Sequence, residues 1–178
     1  MSGFSSSVLR FPGLLCVVLI FSGCASYGGS NLKPGESNVS DVIATMGEPA
    51  MRWKEPDGRE QFAYPRGPFG TQTFMVFMDR DGHLVRIEKV LDEEHFARIE
   101  IGKSDQTSVL RLLGPVVGRN VVYFKARDEL VWSWLFCDGL NMQAYFDVLF
   151  DGTTGIVRST QWRPNYGGWD GIVPGCGR

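Results

Sequence analysis

The sequence predicts an α+β protein of two tandem helix-plus-antiparallel-sheet modules, and three observations carry that expectation. A segment opened by Gly35-Glu36-Ser37 and closed by Gly47-Glu48-Pro49 returns as Gly102-Lys103-Ser104 to Gly114-Pro115, with the same spacing between its first and last Gly. Asp79-Arg80-Asp81-Gly82 and Asp151-Gly152-Thr153-Thr154-Gly155 supply hairpin turns at matching places behind the two segments. Leading into the first turn apolar residues alternate, most clearly at Phe74, Val76 and Met78.

The elements follow in order. Val42, Ile43 and Met46, matched by Val109, Leu110 and Leu113, mark one face of a short helix in each copy. Ser37 and Ser104 are expected at the N-caps, where a hydroxyl oxygen accepts a free backbone N–H. Gly47 and Gly114 are expected just past the helix ends, where Gly takes positive φ at least cost, and the Pro that follows stops the helix. Strands are expected over 61–64, 71–78 and 84–90 in the first copy, and over 121–124, 129–136, 143–150 and 156–161 in the second. Between the copies, 92–99 reads as a helix with Asp92, Glu93 and Glu94 at its positive end and with Phe96 and Ile99 facing inward. Module 1 spans 34–91 and module 2 spans 92–164, followed by a Gly-rich tail over 165–178. A lone copy buries little surface, so two copies are expected side by side in one shared sheet, with helices on one face and the other face open or covered by a partner.

Ahead of the modules lies an export signal. The apolar run 11–21 follows Arg10 and is shorter than the ~20 residues of a membrane span, matching instead a signal-peptide core. Phe21-Ser22-Gly23-Cys24 resembles the bacterial lipobox, with Phe21 where Leu is commoner. That resemblance implies a lipoprotein signal peptide over 1–23, cleavage before Cys24 and lipidation (palmitate among the acyl chains) of its thiol. The alternative is an ordinary signal peptide that leaves Cys24 free. Ala25, where Asp would retain an enteric lipoprotein in the inner membrane, points to the outer membrane, periplasmic side. Residues 24–33, with Gly28, Gly29, Ser30 and Asn31, read as a flexible tether.

Composition narrows the function. Eighteen Lys and Arg against 20 Asp and Glu give a net charge of −2, which provides no electrostatic case for nucleic acid. Of four Cys, Cys16 leaves with the signal and Cys24 would carry lipid, so Cys137 and Cys176 remain. In an oxidising periplasm these two are expected to pair and pin the tail to the sheet, the alternative being two thiols.

The pattern Gly-x-Ser, then Val, then an apolar residue with Gly and a Pro close behind (Met46-Gly47-Glu48-Pro49 and Leu113-Gly114-Pro115), then a strand pair with a Phe-x-Asp-x-x-Gly turn (Phe77, Asp79, Gly82) resembles the SmpA/OmlA (BamE-like) lipoproteins. The tandem arrangement is similar to the β-lactamase inhibitory protein fold. The resemblance implies a non-enzymatic outer-membrane lipoprotein that binds or scaffolds envelope proteins, with the β-barrel assembly machinery as the implied partner. Two copies stand here where that assembly factor has one.

Competing chemistry is weakly written. Gly102-Lys103-Ser104 ends like a phosphate-binding loop, but Ala97 stands where that loop needs Gly, and a helix cap explains both copies. Asp79 and Asp81 lack the remaining ligands of a calcium loop. His83 and His95 have no second His or Cys at metal-ligand spacing, and both are expected to be solvated. No Gly-x-Ser-x-Gly elbow occurs, and no spacing singles out a pair among Asp128, Glu129 and Asp138 for acid–base work. No cofactor, metal or catalytic residue is expected. Trp132 and Trp134 share one strand face by period two, matched by Phe62 and Tyr64, and are expected under the helices, with an exposed binding face as the alternative. Trp162, Tyr166 and Trp169 fall near or in the Gly- and Pro-rich tail and are the candidate partner-binding residues. A periplasmic inhibitor or ligand-binding module unrelated to barrel assembly is the rival reading.

Overall fold

The structure, a computed structural model, describes residues 28–67, 70–167 and 172–176. Cys24 and Trp169 lie outside the described residues. The elements run α1 (Val39–Met46), β1 (Met51–Lys54), β2 (Glu60–Arg66), β3 (Gln72–Met78), β4 (Leu84–Lys89), α2 (Glu93–Phe96), α3 (Gln106–Leu113), β5 (Val121–Phe124), β6 (Glu129–Cys137), β7 (Gln143–Asp151) and β8 (Val157–Pro164). Strands dominate and helices are few. They form two four-stranded antiparallel sheets, β1-β2-β3-β4 and β5-β6-β7-β8, each a simple meander.

One shared sheet was the expectation, and the chain instead closes two. The reason lies in the other face of the first sheet. Thr73, Met75 and Ala63 line it, and Gly114 at the end of α3 sits directly on them: a Cβ there would stand 2.7 Å from the Thr73 methyl and 3.6 Å from Ala63. The second half thus caps a face of the first rather than extending its edge. Gln61 fixes the contact by donating to the Arg111 carbonyl (2.6 Å), and Arg111 pairs with Glu55.

Both helices are entered in the same way. Gly35 N–H donates to Leu84 O and Leu84 N–H to Ser37 O; Gly102 N–H donates to Val157 O and Val157 N–H to Ser104 O. The caps fall one residue later than expected. Asn38 and Asp105 are the N-caps, each in a reciprocal capping box closed by Asp41 and Ser108. Ser37 and Ser104 instead accept from Lys33 N–H (2.9 Å) and Glu100 N–H (3.0 Å), holding the turn before the cap. A carboxylate or amide oxygen one position on reaches the first helical N–H groups, and Ser is left to the preceding turn. Gly47 and Gly114 close the helices at φ 81° and 80°, with ψ near 180°, a region open to Gly almost alone.

The α1 face of the first sheet buries Val42, Met46, Phe62, Tyr64, Val76, Met78 and Leu84. The helix face of the second buries Phe96, Val109, Leu113, Trp132, Trp134, Phe136, Phe146, Val148 and Phe150. Each such side chain contributes about 1.5–3 kcal/mol when fully buried. Phe96 of α2 stacks on Phe146 at 3.9 Å and meets Phe136 edge-on.

Three further expectations change. Residues 28–33 do not run free: Gly29 is buried, Leu32 packs against the α1 core, and Leu32 N–H closes a turn to Gly29 O. An apolar Leu at the end of a Gly turn can dock, so residues 28–33 pack with the first half, which was expected to begin at Pro34. β1 was not expected, because its four residues carry two cations and too little apolar signal to be read as a strand. The helix over 92–99 is one turn, Glu93–Phe96, capped by Asp92, although Phe96 and Ile99 are buried as expected.

Candidate functional site

The second sheet ends in an unprotected edge. β5 is its outermost strand, and every one of its residues is exposed: Val121 at 38%, Val122 at 45%, Tyr123 at 54% and Phe124 at 39%. Val117, just before it, is exposed at 42%. β5 pairs on its inner side with β6, Val121 opposite Trp132 and Phe124 opposite Glu129. Its outer row of backbone N–H and C=O groups is the kind of template that sheet proteins normally shield with charge, Pro or a bulge.

The strand is held rigidly from behind. Phe124 leads into a single 3₁₀ turn, Lys125–Arg127, which ends at Asp128 in the left-handed region (φ 46°). From there Asp128 accepts the Tyr123 hydroxyl (2.7 Å) and the Thr153 hydroxyl (2.6 Å), and its carbonyl accepts Gly152 N–H (2.8 Å). Arg158 donates to Arg127 O (2.9 Å). The β7–β8 turn therefore fastens the β5–β6 turn. Gly152 is required there, since a Cβ would lie 2.3 Å from Asp128 Oδ1 and 2.7 Å from the Tyr123 ring.

Electrostatics follow these bonds. Donation to Asp128 pushes the Tyr123 phenol above its ordinary range. The Thr153 and Tyr123 hydroxyls hold the Asp128 carboxyl below its own. The Thr154 backbone N–H, and then the Arg158 guanidinium, lower Asp151 to about 2.

Of the aromatic residues singled out from the sequence, Trp162 is exposed at 51% and belongs to β8, opposite Phe146. It lines an open cleft of about 490 Å³ with Phe96, Ala97, Phe146, Thr160 and Glu93. Tyr166 lies beyond the end of β8 and is exposed at 66%. Trp132, Trp134, Phe62 and Tyr64 are buried on the helix faces. A disulfide joins Cys137 and Cys176, with Cα atoms 6.0 Å apart. The tail segment beside it bonds to the start of β7 through Gln143 N–H to Pro174 O and Cys176 N–H to Asn141 O.

His95 corrects the expectation of a solvated side chain. It is 8% exposed, its Nδ1 lies 2.7 Å from Asp92 Oδ1, and its Nε2 lies 3.9 Å from Glu88 Oε2. It packs at the junction of β4 and α2, where the second half closes on the first, a burial that no local sequence signal announces. Its neighbours Arg86, Glu88, Arg98 and Arg111 line a charged groove there. His83 is exposed in its turn. Among the described residues no group of three His, Cys, Asp or Glu side chains is placed to hold a metal ion, and no helix is long and apolar enough to cross a membrane.

The β5 edge was legible as a strand but not as an edge. The available signal was contrast: β1 carries Arg52 and Lys54, whereas Val121-Val122-Tyr123-Phe124 carries no charge at all.

No protein-family model matches the chain, and no curated protein matches it significantly. Among solved structures, an extracellular protein containing a SCP domain from Bacillus anthracis aligns over 92% of this chain and 50% of its own, at 11% identity and a TM-score of 0.29. This chain thus spans about half the length of that protein. A similarity so slight defines neither fold nor function for this chain.

Proposed function

We propose that this protein is a non-enzymatic, lipid-anchored outer-membrane lipoprotein of two tandem helix-plus-sheet modules, similar to the SmpA/OmlA lipoproteins, that binds envelope proteins from the periplasmic side. The observation that carries the binding role is the bare apolar edge of β5. Adding a partner strand satisfies its free backbone groups at about 0.5–1.5 kcal/mol per hydrogen bond. Covering the half-exposed Val, Tyr and Phe side chains adds roughly 1 kcal/mol each. The β-barrel assembly machinery is the partner that the family resemblance suggests.

The anchor constrains how the edge is presented. Gly28 stands four positions after Cys24, so the chain between them reaches about 14 Å at most. Lipid on Cys24 therefore holds the first half close to the membrane. The second half, with β5, follows it in the chain and provides the surface that a partner meets.

The test has two readouts. Metabolic labelling with palmitate is expected in the wild type and lost in Cys24→Ala. Tagged protein from detergent-solubilised envelopes is expected to co-purify a defined set of envelope proteins, and Val122→Lys is expected to release them. Recovery of the same set by both proteins would remove the β5 reading. The rival, a periplasmic inhibitor or ligand-binding module, draws on the Trp162 cleft. Inhibition of an envelope hydrolase that is abolished by Trp162→Ala would favour it.

A further inference from the structure

Beyond the general binding role, and resting on it, the chemistry around β5 specifies its occupant. We propose that the edge takes an extended segment of another protein, about four apolar residues flanked by carboxylates, as a fifth strand of the second sheet.

The apolar part follows from side-chain direction. Val121 and Tyr123 lie on the helix side of the sheet, beside Trp132 and Leu130, and Val122 and Phe124 lie on the other side. All four are exposed, so a fifth strand meets apolar surface on both faces. An occupant with strict polar–apolar alternation would match one face and leave charges against the other. A continuous apolar run matches both.

The flanks follow from charge. Arg119 precedes β5 and Lys125 follows it; both are exposed, and among the described residues neither forms an ion pair. Arg127 lies over the Phe124 ring at 4.4 Å while paired with Glu129. The acids at this end are engaged, Asp128 by two hydroxyls and Glu129 by Arg127. An apolar strand bracketed by two unpaired cations selects a segment bracketed by anions.

The same charges argue against two other occupants. Antiparallel pairing of β5 with a second copy of this chain would set Arg119 of one copy between Lys125 and Arg127 of the other. A lipid surface would accept the apolar side chains and the cations but would leave the outer backbone N–H and C=O groups of β5 without partners in hydrocarbon.

The test uses the full-length mature protein in detergent micelles. Its probes are a labelled peptide with four Val and Ile residues between pairs of Glu, and a control with Lys in place of each Glu. Fluorescence anisotropy at low salt is expected to show the Glu peptide binding about tenfold tighter or more, with the gap narrowing as salt screens the flanks. Arg119→Glu combined with Lys125→Glu is expected to reverse the preference. Val122→Lys, a surface change that leaves the fold intact, is expected to weaken both peptides. Amide exchange should slow across β5 when peptide is added. Equal affinity for the two peptides, or no effect of Val122→Lys, overturns the proposal. So does a concentration-dependent dimer, or binding to anionic vesicles, that Val122→Lys abolishes while neither peptide binds. Envelope partners that stay bound to the Val122→Lys protein sink this inference and leave the wider binding role standing; peptide binding with no partner recovered from envelopes does the reverse.

Discussion

The two sheets end in edge strands that occupy matching places and have opposite character. Arg52 of β1 sits opposite Phe62, just as Val121 of β5 sits opposite Trp132, and Lys54 matches Tyr123 in the same way. In β1 the cations are engaged: Arg52 Nε donates to Glu60 Oε2 at 2.7 Å and lies over Phe62, and Lys54 also reaches Glu60. In β5 the same positions are apolar and exposed. The first edge is guarded in the usual way, and the second is not. Similar backbone frames therefore carry different liabilities, and the unguarded edge is the one to test for binding.

The helix ends extend this comparison and give the largest expected effect. Gly47 and Gly114 share a conformation, but a Cβ on Gly47 meets nothing within 4 Å, whereas one on Gly114 meets the Thr73 methyl at 2.7 Å. Gly47→Ala is expected to cost about 1–3 kcal/mol through backbone strain alone. Gly114→Ala adds overpacking against the first sheet, for a total of roughly 2–5 kcal/mol. Denaturant midpoints of the two variants measure the difference, and equal costs would mean that the halves do not close on each other through Gly114.

The disulfide comes next. It belongs to the second half alone. Cys137→Ser is expected to lower stability by about 2–4 kcal/mol. Reductant should destabilise the wild type and leave that variant unchanged, as thermal unfolding with and without reductant will record.

A smaller contrast lies in the cores. Tyr64 and Trp134 occupy matching positions, opposite Phe74 and Phe146. Trp134 Nε1 donates to Gly114 O (3.2 Å), while the buried Tyr64 hydroxyl has no hydrogen-bond partner among the described residues, and burial pushes its pKa up to about 12. Tyr64→Phe removes an unsatisfied group and is expected to be neutral or stabilising by up to about 1 kcal/mol. Trp134→Phe leaves the Gly114 carbonyl unpaired beside a void and is expected to destabilise by about 2 kcal/mol. Chemical denaturation distinguishes the two signs.

Acid separates the halves more gently. Asp151 has its folded pKa depressed to about 2 from 3.8. Its contribution is therefore present above about pH 4 and is lost as pH falls through 2. Protection of the amides in the β5–β6 and β7–β8 turns, taken relative to their intrinsic exchange rate at each pH, should fall in that window, and Asp151→Asn should flatten the response. Smallest of all, Val122→Lys should change stability by less than about 0.5 kcal/mol, because the site is exposed, even as it removes binding.

Much of the frame was legible. The twin Gly-x-Ser openings, the closing glycines and the two hairpin turns are local chemistry, and short-range physics places them. The N-caps slipped by one residue because Ser37 and Asn38, like Ser104 and Asp105, both carry suitable oxygens, and only the turn geometry decides which one caps. β1 was missed because its cations mask its strand character. The β5 edge was hidden for the opposite reason: an apolar run looks the same in sequence whether the fold buries it or leaves it at a margin.

The sequence by itself determined the two longer helices, the turns, most strands and which aromatic residues share a strand face, because each rests on periodicity and on conformational preferences a few residues wide. Tertiary structure alone decided that there are two sheets rather than one, that Gly114 packs on Thr73, that His95 is buried between Asp92 and Glu88, and that β5 stands at an open edge. Each of these depends on which surfaces meet across long stretches of chain, and such meetings are set by shape and packing rather than by any local pattern of residues.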